Sequence, residues 1–154
     1  MAEYVPSPEA WVRDQVALYE SSGGRDGTTL GDTGLPVVIV TYVGRKTGAV
    51  RKTPLMRVVT ADGTYVLVAS KGGAPTHPTW YHSLRAQPEV TIRDRERVFR
   101  ARVREVTDPA ERARLWAAAV AAYPPYAEYQ ARTERQIPLF AAEPIDARPG
   151  ATPG

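Results

Sequence analysis

The sequence predicts a small α+β protein, mainly antiparallel β, in which a barrel is flanked by short helices. Three observations carry this. Short β-branched runs crowd the middle of the chain, as in PVVIVTYV at 36–43, VLVA at 66–69 and VFRARV at 98–103. The links between such runs are turns too short for parallel crossovers, so the strands must return antiparallel. Helix signals come in short pieces before, between and after the strands.

Taken in order, Ser7-Pro8-Glu9 reads as an N-cap, a proline at the first helical position and an acid in the first turn. Trp11, Val12, Val16, Leu18 and Tyr19 follow at near-helical spacing, and Gly23-Gly24 ends the segment. Residues 25–35, rich in Gly, Thr and Asp, complete a helix-and-loop lead-in over 1–35, ahead of a barrel over 36–144. Strands are expected at 36–43, about 50–60 and 64–69, joined by turns at Gly44–Gly48 and Ala61-Asp62-Gly63. Ser70 to Pro78 is a loop, followed by a short helix from Thr79 to Ala86 that Pro88 stops.

Strands at 90–93 and 97–106 flank the charged turn Asp94-Arg95, and Phe99, Ala101 and Val103 alternate with Arg100, Arg102 and Arg104. That alternation buries one face and wets the other. Asp108-Pro109-Ala110-Glu111 is a capping-box start for a helix reaching Ala122. Pro124-Pro125 breaks it, a short helix carries Tyr126 and Tyr129, and Ile137–Ala141 is expected to close the sheet as an edge strand. From Glu143 the chain turns Pro/Gly/Ala-rich and is expected to fray, leaving 145–154 as a flexible tail on a one-domain protein.

Composition narrows the chemistry. The 154 residues include no cysteine, which removes disulfides, thiolate metal sites and thiol catalysis. His77 and His82 are the only histidines, without zinc-ligand spacing, so no metal is expected. A net charge of +3 matters only if it is clustered. No apolar run approaches the roughly 20 residues of a membrane span, and Met1–Pro8 is not signal-like, so a cytoplasmic protein is expected.

The charge is in fact clustered. Gly44-Arg45-Lys46-Thr47-Gly48 and then Arg51-Lys52-Thr53-Pro54 place four cations near glycines that let backbone N–H groups approach an anion. A solvated, edge-protecting hairpin tip is the plain alternative. Ala69-Ser70-Lys71-Gly72-Gly73 repeats the lysine-and-glycine pattern at a strand end, where an ordinary flexible loop is the alternative. In Thr79-Trp80-Tyr81-His82-Ser83-Leu84 the aromatics read as core, and His82 as a hydrogen-bonded structural residue, since no nearby carboxylate would orient it as a base. Tyr123, Tyr126 and Tyr129 place three phenols around a rigid Pro-Pro break, suiting either a substrate wall or a packing corner.

In order along the chain, PVVIVT, GRKTG, RKTPLM, VLVASKGGAPTHPTWYHSL, QPEV and YPPYAEYQARTERQIP resemble the deazaflavin-dependent nitroreductase family, which uses coenzyme F420. The likeness runs from about Trp11 to Pro144. It implies a split β-barrel of the FMN-binding, flavin-reductase type, holding a deazaflavin whose phosphate and acidic tail lie in a basic groove. Carried onto matching positions, that groove is lined by Lys46, Thr47, Gly48, Arg51, Lys52, Thr53, Pro54, Leu55 and Met56. The ring lies along Val68, Ala69, Ser70 and Lys71, against Thr79, Trp80, Tyr81, His82 and Ser83. Tyr126 covers the ring, Ser70 stands near the acceptor, and Tyr123 and Tyr129 join Tyr126 in the substrate wall.

The resemblance also implies an acceptor that is a quinone, with nitroaromatics as adventitious ones. The expected reaction is hydride transfer from the reduced ring to a stacked acceptor, with Ser70 or Tyr126 polarising its oxygen. Peripheral membrane contact is compatible with this, as is either a monomer or a homodimer; a nucleic-acid partner is not expected, because the aromatics are not interleaved with the basic residues. Three alternatives stay open: the same barrel with FMN, a non-catalytic binder of polyanions, and a cofactor binder without efficient turnover.

Overall fold

In the computed structural model, residues 3–145 are described. Among them, six strands form one antiparallel sheet: β1 (Val37–Val43), β2 (Val50–Met56), β3 (Tyr65–Val68), β4 (Glu89–Asp94), β5 (Arg97–Glu105) and β6 (Leu139–Pro144). The helices are α1 (Ala10–Ser21), α2 (Thr79–Ala86), α3 (Pro109–Ala122) and α4 (Pro125–Arg132). Strand order is β2-β1-β4-β5-β6-β3. Two hairpins set the register, with Val43 opposite Val50 across the first turn and Asp94 opposite Arg97 across the second.

The sheet curls until its two edges meet. Beyond Met56 the chain runs alongside β3, where the Val66 N–H donates to the Val58 carbonyl at 2.9 Å and Val59 bridges Tyr65. Asp94 staples this seam. Its carboxylate accepts two bonds from Arg57 Nε, at 2.9 and 3.0 Å, and one from the Tyr65 hydroxyl. Away from the seam a cavity separates β2 from the far end of β3. The result is a split β-barrel.

Alternation along the strands sorts the apolar side chains into two layers. One layer joins Val38, Val40, Leu67, Ile92, Phe99 and Phe140 with Trp80, Tyr81 and Leu84 of α2. The opposite face, carrying Val37, Ile39, Met56, Val68 and Leu139, is covered by α1, α3 and α4.

Several expectations are corrected. Helix α1 begins at Ala10 with Glu9 as N-cap, because the Ser7 hydroxyl instead closes a local turn by accepting from the Glu9 N–H. Its buried face is Val12, Val16 and Tyr19, while Trp11 and Leu18 point outward at 55% and 50% exposure. Strand β2 stops at Met56 rather than near 60, where Asp62 and Thr60 form a turn. The capping box of α3 is half made: Asp108 accepts from the Glu111 N–H, but the Glu111 carboxylate turns to Arg104.

The last strand is not an edge. It lies between β5 and β3, and Leu139–Ala142 is a wholly buried run with both sides paired. Nor does the chain fray from Glu143, since Glu143 and Pro144 stay in register with Arg102 and Ala101, and the Ile145 N–H donates to the Arg100 carbonyl. The rest of the expected tail, 146–154, falls outside the described residues.

Candidate active site

The split between β2 and β3 holds a cavity of about 610 Å³, within the usual range for small-molecule sites. Strand β2 gives it one wall, Arg51 to Met56. Pro54 sits there because an edge strand needs no N–H on its open side. The end of β3 and the turn after it contribute Val68, Ser70, Lys71 and Gly72; α2 contributes Thr79 and Trp80; α4 and the residue before its proline break contribute Tyr126, Tyr129 and Tyr123. The mouth is framed by Ser7, Pro8, Glu9 and Trp11 at the start of α1.

Charge at the site is unevenly committed. Lys52 is ion-paired with Glu20 of α1 and lies over the Tyr4 ring at 4.9 Å. Glu20 also faces Arg93, whose Nε is buried without a hydrogen-bond partner. Arg51 forms no ion pair among the described residues, and the Lys71 ammonium reaches only the Thr76 hydroxyl, at 3.3 Å. Arg51 and Lys71 are therefore the cations left available to an anionic ligand. Glu9, at the mouth, accepts from the Trp11 indole N–H.

Three phenols form the far wall. Tyr126 is 4% exposed and stands edge-on to Tyr123, with ring centres 4.9 Å apart. Burial raises its pKa well above that of free tyrosine, and Tyr123 and Tyr129 add to the rise. Tyr123 and Tyr129 share a hydroxyl–hydroxyl bond of 3.1 Å, and that bond, with burial, pushes Tyr123 up to about 12. Tyr126 and Tyr123 are thus neutral donors at physiological pH. Tyr126 and Ser70 line the cavity, and their hydroxyls make no hydrogen bond among the described residues. Two such groups facing a cavity are suited to a ligand oxygen.

Of the residues singled out from sequence, Arg51, Lys52, Thr53, Pro54, Leu55, Met56, Val68, Ser70, Lys71, Thr79, Trp80, Tyr123, Tyr126 and Tyr129 converge on this cavity. Lys46, Thr47, Gly48, Ala69, Tyr81, His82 and Ser83 do not line it. Lys46 is exposed in the hairpin turn. The Thr47 hydroxyl accepts from the Ala49 N–H, and Gly48 takes a φ of 73° to close that turn. Ser83 tethers it, its hydroxyl accepting from the Arg45 N–H at 3.0 Å. Ala69 is fully buried, and the Tyr81 hydroxyl donates to the Glu105 carboxylate. His82 is exposed and edge-on to Tyr81 and, against expectation, makes no hydrogen bond among the described residues.

Sequence reading gives no site role to the mouth residues Ser7, Pro8, Glu9 and Trp11, nor to Val12, Leu30, Val37, Tyr42 and Pro78, all of which line the cavity. For Tyr42 a signal was available: a turn centred on Lys46-Thr47 puts position 42 opposite Arg51. The mouth residues carried no such signal, since a helix start does not announce what it leans on.

Fold and site together define a split-barrel oxidoreductase, a class whose hydride chemistry comes from a bound cofactor. Residues 11–144 match the model of the family described as F420H(2)-dependent quinone reductase. The F420H(2)-dependent quinone reductase Rv1261c of Mycobacterium tuberculosis is 36% identical over 126 residues, 80% of this chain and 83% of that protein. A solved F420-H2 dependent reductase, FDR-A, is 48% identical with a TM-score of 0.65, covering 70% of this chain and 94% of its own. A further solved structure, described only as a domain-swapped dimer, is 45% identical with a TM-score of 0.68, covering 89% of this chain and 100% of its own. This chain belongs to the F420H(2)-dependent quinone reductase family and is an F420-dependent oxidoreductase.

Proposed function

We propose that the cleft between β2 and β3 holds reduced F420 against a quinone-type acceptor, with Arg51, Lys52 and Lys71 taking the cofactor's anionic groups. The observation that carries this reading is the convergence, on one cavity, of the available cations Arg51 and Lys71 with Tyr126 and Ser70, whose hydroxyls make no hydrogen bond among the described residues. The residues fit the group. A flat apolar ring finds Met56, Val68 and Trp80, and a phosphate finds Arg51 and Lys71. Once bound, the cofactor supplies a hydride, and the quinone takes that hydride with one proton to become the quinol.

The chain's own residues bind, orient and donate. Tyr126 and Ser70 donate hydrogen bonds to the acceptor oxygen, where negative charge builds as reduction proceeds. The Tyr123–Tyr129 pair uses one hydroxyl proton internally, which leaves the other proton to the cavity and braces both rings. Trp80 and Met56 exclude water from the ring face. Lys46, Thr47 and Gly48 hold the shape of the hairpin rather than touching the ligand, and Tyr81, His82 and Ser83 support α2 from behind.

Fluorescence titration with oxidised F420 and FMN side by side tests the reading. F420 should bind at least tenfold more tightly; preference for FMN, or binding of neither, would overturn it. Arg51→Ala should weaken F420 binding about tenfold or more, since a charge-assisted bond to a phosphate is worth roughly 1.5–3 kcal/mol. Added salt should weaken it further. Lys52→Ala should cost less, because Glu20 already offsets that charge.

The acceptor side carries a proposal about location. Trp11 and Leu18 lie on one exposed face of α1, and Tyr4 and Val5 add apolar surface at the same end of the chain. No helix among the described residues is long and apolar enough to cross a membrane. A cytoplasmic enzyme that meets the membrane through this face, and there meets a lipid-soluble quinone, accounts for the exposed residues. Trp11→Ala should reduce co-sedimentation with anionic lipid vesicles at least threefold; unchanged sedimentation would remove the membrane from the account. A homodimer is the oligomer supported by the relative described as a domain-swapped dimer, and light scattering distinguishes it from a monomer.

A further inference from the structure

Arg135 is absent from every role given so far, yet its guanidinium is among the most heavily bonded groups in the protein. Its Nε donates to the Ala74 carbonyl at 2.8 Å, and its Nη2 to the Ser70 carbonyl at 2.7 Å. Its Nη1 donates to the Ala69 carbonyl at 3.2 Å and meets His77 Nδ1 at 2.9 Å. Four contacts reach one continuous segment, from the end of β3 to the residue before Pro78, where α2 is about to start.

That segment is shaped to need holding. Lys71, Gly72 and Gly73 all have positive φ, at 47°, 64° and 82°, and for Lys71 this is strained backbone. A Cβ on Gly73 would lie 2.8 Å from the Tyr129 carbonyl oxygen, so the turn packs directly on the backbone of α4. Arg135 is itself fixed from α4: the Gln130 side-chain amide donates to the Arg135 carbonyl and accepts from the Ile137 N–H, at 2.8 and 2.9 Å. Gln130 lies one helical turn beyond Tyr126. A chain of contacts thus runs from the tyrosine helix through Gln130 and Arg135 to the turn that carries Ser70.

We propose that Arg135 and His77 form a clamp that positions Ser70 and Lys71 relative to Tyr126, and that the clamp opens when His77 takes up a proton. Arginine has no acceptor, so His77 must accept through an unprotonated Nδ1 and carry its proton on Nε2. Protonating Nδ1 removes the acceptor and sets two cations 2.9 Å apart. Arg135 is a positioning residue, acting on the acceptor only through the turn. The proposal rests on the reading of the cleft given above.

The surroundings of His77 lower its pKa on balance. Burial lowers its pKa first, then Arg135, His82 and Arg85 lower it further, while Glu105 opposes them. The Tyr81 ring packs on it at 4.3 Å and is neutral, its own pKa being raised by burial and by Glu105. A histidine with a depressed folded-state pKa is fully supportive above its unfolded value of about 6.5, and its support is lost as pH falls through the folded value. The clamp is therefore closed at neutral pH and opens on the acid side.

Amide hydrogen exchange on the cofactor-free protein tests the clamp without turnover, and steady-state reduction of a soluble quinone follows its effect. Arg135→Lys should lower protection of the 69–74 peptide at least tenfold while leaving 139–142 unchanged. It should lower kcat at least tenfold with F420 affinity changed less than threefold. In the parent, protection of 69–74 should drop as pH falls below about 6.5. In His77→Gln, whose amide oxygen still accepts from Arg135, protection at neutral pH should persist and the acid step should vanish. Equal loss of protection in both peptides would mark Arg135 as a general stabiliser and overturn the proposal, as would an unchanged kcat. An acid step that survives in His77→Gln would remove the switch. Failure of the parent to bind F420 would instead refute the reading of the cleft, with exchange still deciding the clamp.

Discussion

Tyr126→Phe should slow quinone reduction about five- to a hundredfold at saturating F420 while cofactor affinity changes little. The substitution keeps the ring that packs on Tyr123, Tyr129 and Trp116 and deletes only the hydroxyl. That hydroxyl has no hydrogen-bond partner among the described residues, so stability should not fall. What is lost is a donor to a developing oxyanion, worth about 1–3 kcal/mol. Because the folded-state pKa is raised above 10, ionisation should not remove the donor at any pH up to that value. A Tyr126→Phe variant that turns over as fast as the parent would reduce Tyr126 to a wall.

Asp94→Asn should have the largest effect on folding. The carboxylate, 8% exposed, bonds Arg57 beyond β2 and Tyr65 of β3 from its place on β4, so two strands and the segment that follows β2 depend on it where the barrel closes. Breaking a buried pair costs about 3–5 kcal/mol. The lower end applies here because Arg57 is a third exposed and regains water. For a chain of this size that is a drop in Tm of roughly 6–12 °C. Tyr65→Phe removes one bond from the same carboxylate and should cost about half as much. A melting point unchanged in Asp94→Asn would mean that apolar burial alone closes the seam.

Local signals carried much of the architecture. Thr79–Ala86 was legible as a helix to the residue, because proline bounds both ends and the aromatic face is unambiguous. The alternation in β5 named its buried face, and the glycine-bounded turn set the register of β1 with β2. What escaped was long-range. Nothing local in Leu139–Pro144 says that both its neighbours are strands, so an interior strand read as an edge. Trp11 and Leu18 have the spacing of a buried face, yet Val12, Val16 and Tyr19 win that face by a rotation of one position.

The site is legible by likeness more than by geometry, and the places where the expected residues stand away from the cavity follow from that. Gly44–Gly48 looks like an anion cradle in sequence, but its glycine and threonine are consumed by the turn itself. Lys52 looked free and is paired with Glu20, thirty-two positions away. Arg135 sits in a motif that was noticed and given no task, since a guanidinium spent on carbonyls leaves no trace in charge spacing.

The origin of the cavity's two walls bears on how such an enzyme could be altered. One wall is cut from the sheet, where Thr53 and Pro54 are locked opposite Val40 and Ile39 and a substitution disturbs the ladder. The other is built from α4 and the first turn of α1, helices held by side-chain contacts and free of any strand register. A designer seeking a new acceptor could therefore vary Trp11 by itself and Tyr123 with Tyr129 as a bonded pair, leaving β2 and the barrel's closure untouched.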